Sequence, residues 1–249
     1  MTVGGKSSNE VPVTSGVPQG SVLGPTLFVY FINDMPDVLD CLIKIFADDT
    51  KVYSSVHSPD QCEKLQESID KLVDWTNQWQ ISFNTDKCKV LHLGRDNPCH
   101  RYKMDGNDLE STEVEKDLGV HVDKDLSFDF HMNECVKKAN KIVGMISRYI
   151  DFKDKSVMVP LFKSLVRPIL EYGNTVWSPS LKKHISLIED VQRKFTRRIN
   201  GMSGLEYENR LRILKLPSLE FRRKRGDMIE TYKILHGCYD TVTTSGCIS

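Results

Sequence analysis

Leu42-Ile43-Lys44-Ile45-Phe46-Ala47-Asp48-Asp49-Thr50-Lys51-Val52-Tyr53-Ser54-Ser55-Val56 holds two short β-prone runs, 42–47 and 51–56, around a polar tip. The pattern predicts a β-hairpin with two adjacent carboxylates at its turn. Neighbouring side chains on extended chain point to opposite faces, so only a turn lets consecutive aspartates approach one site. Two carboxylates held close repel each other, and a divalent hard cation such as Mg²⁺ relieves the repulsion. Asp also favours turns for its own local reasons, so the pair alone does not define a site. Phe46 reads as hairpin core.

Upstream of the hairpin, Gly16, Pro18, Gly20, Gly24 and Pro25 crowd into ten residues and exclude continuous regular structure. Pro25 suits the first turn of a helix, and the apolar run Leu27 to Ile32 predicts one buried nearly all round, closing near Asn33-Asp34. Downstream, Ser58, Pro59 and Gln61 form a capping set. Cys62, Leu65, Ile69, Leu72, Val73 and Trp79 then recur at helical spacing, which predicts a helix over 59–79. Strands are expected at 89–93 and 118–122, with a hairpin over 102–109 turning at Asp105-Gly106. Beyond Ser127 the period becomes helical, over 129–150, 154–166, 180–200 and 218–236, with Gly201 as a C-cap. The fold class expected is α+β: a mixed region at 1–125, a helical region at 126–237 and an unpatterned tail at 238–249.

Among 249 residues, 39% are apolar and 27% charged, an ordinary globular composition. The longest apolar run has six residues, against the roughly 20 of a membrane helix, and the first dozen residues hold no signal-like stretch. A chain that is intracellular, nuclear or cytoplasmic, and neither secreted nor membrane-bound is expected. Seven cysteines without a C-x-x-C pair favour reduced thiols over zinc, and the seven histidines show no paired metal spacing and default to surface positions. Trp75 and Trp79, four apart, read as packing. Gly5-Lys6-Ser7 lacks the earlier glycine of a phosphate-binding loop. The net charge of zero hides a division: residues 1–136 hold 12 basic and 23 acidic residues, and 137–225 hold 21 and 8. The first segment can supply metal-binding carboxylates and the second a polyanion-binding face, although a solvated helical bundle has the same composition.

The block Gly16-Val17-Pro18-Gln19-Gly20-Ser21-Val22-Leu23-Gly24-Pro25 lies some twenty residues before the hairpin. With Phe46-Ala47-Asp48-Asp49 it resembles the reverse transcriptases of LINE-type (non-LTR) retrotransposons. The first block is similar to the loop-and-helix motif of that family's polymerase palm, and the second to its Y/F-x-D-D hairpin. Ile81 to Lys89 is similar to the next palm motif, with its N-x-x-K core at Asn84 and Lys87, and Asp117-Leu118-Gly119-Val120 to the primer-grip hairpin. The likeness continues weakly through Arg222 to Arg225 and Tyr232 to Gly237. Four motifs in order over about 110 residues are far more specific than any one of them.

The resemblance implies a partial palm of β-hairpins with packed helices, followed by an all-helical thumb-like region. Its partners would be an RNA template, a DNA primer and deoxynucleoside triphosphates; it implies no oligomeric state. Gly16, Pro18, Gln19 and Gly20 would line the incoming nucleotide, glycine allowing close approach and Gln19 offering a donor and an acceptor. Asp48 would ligate both ions of a two-Mg²⁺ phosphoryl-transfer site, with Asp49 a weaker ligand and Lys87 near the triphosphate. Leu118, Gly119 and Val120 would form the primer grip. Lys182, Lys183, Arg193, Lys194, Arg197 and Arg198, on the polar side of the 180–200 helix, and Arg222, Arg223, Lys224 and Arg225 would contact the nucleic-acid backbone. Arg222 to Arg225 fits a nuclear-import address equally well. The family's further catalytic aspartate lies well upstream of the glycine loop, and none of residues 1–15 is Asp. This chain is therefore expected to carry an incomplete two-metal site and to be inactive as it stands. A nucleic-acid-binding remnant without catalysis is the alternative, and a globular protein with a structural Asp pair a third.

Overall fold

The structure, a computed structural model, describes residues 2–3, 6–7 and 20–239, and divides into two units, 1–112 and 113–249. Both helices and strands are present, as the α+β expectation requires, but among the described residues the strands form only two-stranded ladders.

In the first unit β1 (Thr2–Val3) pairs antiparallel with β2 (Lys6–Ser7). Helix α1 (Leu23–Phe31) begins where the Ser21 hydroxyl accepts from the Gly24 amide at 3.1 Å, with Pro25 in its first turn. A single 3₁₀ turn (Met35–Val38) leads to the antiparallel hairpin of β3 (Leu42–Phe46) and β4 (Asp49–Tyr53). Helix α2 (Pro59–Gln78) follows. Its entry is fastened by the Gln61 side chain reaching back to the His57 amide at 2.6 Å, while the Ser58 hydroxyl makes no cap bond. The expected capping set thus works through Gln61 and through Pro59 in the first turn, and not through the Ser58 hydroxyl. β5 (Lys89–Leu91), β6 (Lys103–Met104), β7 (Asn107–Asp108) and β8 (Glu110–Thr112) complete the unit. β6 and β7 turn at Asp105-Gly106, both at positive φ, as expected, whereas the parallel pairing of β5 with β8 was not legible in the sequence.

Two small apolar clusters hold this unit. Ile32, Met35, Leu72 and Trp75 form one, with Phe31, Ile43, Ile45, Val52 and Phe83 against it. Ile69, Tyr102 and Met104 form the other, and Phe83 packs on both. Two expectations fail here. No residue of α1 is fully buried, although its apolar run predicted burial all round: Phe31 at its end packs half-buried on the core, Ile32 and Met35 just beyond it are buried, and Phe28 and Tyr30 stay exposed. Phe46 is 63% exposed because the inner face of the hairpin is taken by Ile43, Ile45 and Val52.

The second unit opens with the hairpin of β9 (Val114–Asp117) and β10 (Val120–Asp123), so the division falls at 112/113 and not at 125/126. The reason is packing: Val120 joins the helical core. Asp123 caps the next loop, accepting from the Ser127 amide at 2.9 Å and the Phe128 amide at 2.6 Å. Then follow α3 (Asp129–Tyr149), α4 (Lys155–Leu161), one π turn (Phe162–Val166), α5 (Arg167–Glu171), α6 (Asn174–Trp177), α7 (Lys182–Arg197), α8 (Tyr207–Leu214) and α9 (Leu219–Leu235). Pro168 lacks an N–H and its ring crowds the carbonyl four residues back, which accounts for the π turn before it. Short α6 and α8 were not anticipated, and α7 ends before Gly201, which instead turns the following loop at φ 75°. Val143, Met158, Phe162, Leu170, Trp177, Ile188 and Phe195 are the centre of the core, each apolar side chain contributing about 1.5–3 kcal/mol. The start of α9 rests on buried Glu189 of α7, whose carboxylate accepts from the amides of Leu219 and Glu220 at 3.2 and 3.1 Å and from the Tyr207 hydroxyl.

Candidate active site

The hairpin register pairs Ile43 with Val52, Ile45 with Thr50 and Phe46 with Asp49, leaving Ala47-Asp48 as a two-residue turn. The tip is therefore one residue earlier than the pattern predicts: Asp48 lies in the turn and Asp49 already in β4. Ala47 takes φ 53°, the left-handed conformation that short hairpins demand. Asp48 and Asp49 are both exposed, and among the described residues no hydrogen bond or ion pair holds either carboxylate. Open, unpartnered oxygen donors are the chemistry a hard divalent cation requires. No group of three or more His, Cys, Asp or Glu that could hold a metal occurs among the described residues, so the pair fits part of such a site.

Lys87 closes a 3₁₀ turn (Thr85–Lys87) instead of ending a strand. Its amide donates to the Asn84 carbonyl at 3.0 Å, and the Cys88 thiol does so at 3.3 Å, so the N-x-x-K spacing is a closed loop with Lys87 exposed. Phe83, just before it, packs on the same cluster as Ile43, Ile45, Val52 and Phe31. The end of α1, the Asp hairpin and the Asn84–Lys87 turn thus share one small core. Gly16, Pro18 and Gln19 lie outside the described residues. Gly20 is described, with φ 84°.

Leu118, Gly119 and Val120 belong to the second unit. Leu118-Gly119 is not strand but the two-residue turn between β9 and β10, with φ 43° and 90°. The Tyr172 hydroxyl donates to the Leu118 carbonyl at 2.8 Å, and a Cβ on Gly119 would meet the Tyr172 ring at 3.1 Å. The Trp177 indole donates to the Tyr172 carbonyl at 2.8 Å, and a Cβ on Gly173 would lie 3.0 Å from Val120. His131 completes the clamp. Its Nδ1 accepts from the His121 amide at 3.1 Å, which leaves the proton on Nε2, 3.3 Å from the Cys135 sulfur. Burial, with His121 and Lys138 nearby, depresses the His131 pKa to about 4. Tyr172, Gly173, Trp177 and His131 were missed by sequence reasoning, and His131 and His184 are buried, against the expected surface default. Only the Tyr-Gly pair at 172–173 could have signalled a fixed turn.

The basic stripe is thinner than its sequence. Arg223 is 2% exposed, on the inner side of α9. Arg222 forks onto Glu171, with Nη2 at 3.0 Å, and Lys224 bridges to Glu220 at 2.7 Å. Arg193 pairs with Asp190 and lies over the Tyr207 ring, Lys183 is 3.7 Å from Asp129, and Arg198 donates to the Ser147 hydroxyl at 2.8 Å. Lys182, Lys194, Arg197 and Arg225 remain exposed without an ion pair among the described residues.

The sequence profile described as reverse transcriptase (RNA-dependent DNA polymerase) matches residues 1–150, which takes in the Asp48-Asp49 hairpin, the Leu118-Gly119 hairpin and α3. The chain is 33% identical over 233 residues to the RNA-directed DNA polymerase from mobile element jockey of Drosophila melanogaster, covering 87% of this chain and 25% of that protein. It is 30% identical over 214 residues to the jockey polymerase of Drosophila funebris, with 81% and 23% covered. It is also 30% identical over 205 residues to the probable RNA-directed DNA polymerase from transposon X-element of Drosophila melanogaster, with 78% and 22% covered. The chain spans about a quarter of the length of these relatives. No solved structure matches it.

Proposed function

Because the chain belongs to the reverse transcriptase family, we propose that it forms part of the nucleotidyl-transfer apparatus of a non-LTR retrotransposon polymerase, with a partial palm in the first unit and a thumb-like second unit. The observation that carries the reading is the open Asp48-Asp49 tip, two carboxylates with no partner among the described residues, at the motif that matches the family's hairpin. Bound there, Mg²⁺ would stabilise the charge on the attacking and leaving oxygens of phosphoryl transfer.

The chain's own residues divide the remaining work. Asp48 and Asp49 hold metal, Lys87 faces the triphosphate, and Gly16, Pro18, Gln19 and Gly20 shape the nucleotide's bed. The clamped Leu118-Gly119-Val120 turn is rigid backbone against which a DNA primer end is held. Exposed Lys182, Lys194 and Arg197 track the phosphate backbone of an RNA template paired with that primer, by charge and without base readout. RNA, primer and deoxynucleoside triphosphates are the partners; no helix among the described residues is long and apolar enough to cross a membrane. A non-catalytic nucleic-acid-binding remnant is the competing reading. Titration of Mn²⁺ into the labelled chain separates them: selective line broadening of the amides at 46–50 is expected, abolished by Asp48→Asn. Uniform or absent broadening in this hairpin would sink the metal-holding role.

A further inference from the structure

Helix α9 turns one side to its own unit and leaves the other bare. Leu219 and Arg223 are buried, Arg222 pairs with Glu171, and the Ser178 hydroxyl donates to Asp227 at 3.2 Å, which marks the inner side. On the outer side Phe221, Arg225, Met228, Tyr232 and Leu235 follow at spacings of four, three, four and three. That is the 3.5-residue period of a helix–helix seam, kept over two heptads. The four apolar members are 58–73% exposed, and residues 221–232 of this side line an open groove of about 590 Å³.

The period calls for another helix, and the order of residues calls for this one. About Met228 the stripe is close to a palindrome, with a large apolar residue at each end and Arg225 and Tyr232 between. Of the charged residues of α9, Arg222, Arg223 and Asp227 are held on the inner side, whereas Lys224 and Arg225, in the half before Gly226, are exposed beside the seam. An antiparallel copy sets exposed Lys224 and Arg225 of each helix against the other's negative helix end, and Arg225 against the partner's Tyr232, a cation–π pair. A parallel copy would stack Lys224 and Arg225 on their own images. We propose that this face binds a second copy of the chain, antiparallel, with the two-fold axis at Met228. Two heptads of one helix fall below the roughly 1,200 Å² of stable specific interfaces, so the association is reversible, with a Kd in the micromolar range or weaker.

Sedimentation velocity of the full chain from about 1 to 200 μM tests this. A monomer–dimer equilibrium is expected, weakened at least about tenfold by Met228→Glu and more mildly by Arg225→Leu, which removes the cation facing the partner's Tyr232. Circular dichroism should be unchanged, since both side chains face solvent. With Cys99, Cys238 and Cys247 replaced by Ser, Met228→Cys should form a disulfide-linked dimer on oxidation and Phe221→Cys should not. A monomer throughout the range, or self-association indifferent to Met228→Glu, would overturn the proposal. So would cross-linking of Phe221→Cys to itself, which reports a parallel pair. If Arg225→Leu leaves the mass unchanged but weakens binding of a labelled oligonucleotide, the face serves nucleic acid and the proposal falls.

Discussion

The hairpins that turn at Ala47-Asp48 and at Leu118-Gly119 both use left-handed backbone, and they have opposite surroundings. At Ala47-Asp48 the inner face of the strands is packed but nothing among the described residues touches the two carboxylates. At Leu118-Gly119 the turn is clamped by Tyr172, braced in turn by Trp177 and Gly173, and the strand behind it is tied to His131. Local grammar sets the shape of both turns. Long-range packing decides that one stays available for ligands and the other is rigid, so the same substitution should act differently at each.

The largest expected difference is in pH response. His131 must be neutral for its Nδ1 to accept from the His121 amide, and its pKa is about 4 in the folded chain against about 6.5 unfolded. Between those values the unfolded chain binds a proton that the folded one refuses. Stability of the clamped unit is therefore full above about pH 6.5 and falls by about 3 kcal/mol as pH drops to 4. His121, also depressed by burial, adds to the fall in the same direction, and the Cys135 thiol, pushed up, stays protonated throughout. Protection of the His121 amide against hydrogen exchange, taken relative to its intrinsic rate at each pH, should fall over that window while that of the β3 and β4 amides does not. His131→Gln should flatten the dependence; an unaltered slope in that variant would remove His131 from the clamp.

Next in size is the effect of a single Cβ. Gly119→Ala places a side chain on a φ of 90° and against the Tyr172 ring, and should cost about 2 kcal/mol in urea unfolding. At the open tip the reverse change, Ala47→Gly, relieves a residue at φ 53° and should stabilise by about 0.5–1 kcal/mol. Equal and small effects at both sites would mean that the second turn is not clamped at all.

Much of this was legible locally and little of it globally. The β-prone runs at 42–47 and 51–56 revealed the hairpin, with its second strand placed two to three residues late, and apolar spacing located α2, α3, α7 and α9. Periodicity reports which face a segment could bury and not whether something is there to bury it. That is why most of α1 and Phe46 are exposed where their apolar pattern predicts burial, and why Arg223, one of four consecutive cations, faces inward. The clamp joins Leu118 to Tyr172 across 54 residues, and the α9 cap joins Glu189 to Leu219 across 30. No spacing rule reaches that far. The catalytic candidates Asp48, Asp49 and Lys87 were found through motif order, because turn chemistry is local even where its purpose is not.

The smallest expected effect is the most telling for the open tip. A carboxylate kept for structure has partners, and removing it leaves an amide or a cation unsatisfied at about 1–3 kcal/mol. Asp48 has no such partner among the described residues, so Asp48→Asn should change urea stability by less than about 0.5 kcal/mol, in the stabilising direction if repulsion from Asp49 matters. Asp123 is the control: it accepts from the amides of Asp125, Ser127 and Phe128, and Asp123→Asn should cost about 1–2 kcal/mol. If Asp48→Asn proved as costly as the control, the pair would be a turn-building element and not a site. A near-zero cost combined with lost Mn²⁺ broadening would instead mark two charges kept together against their own repulsion, which folding alone gives no reason to retain.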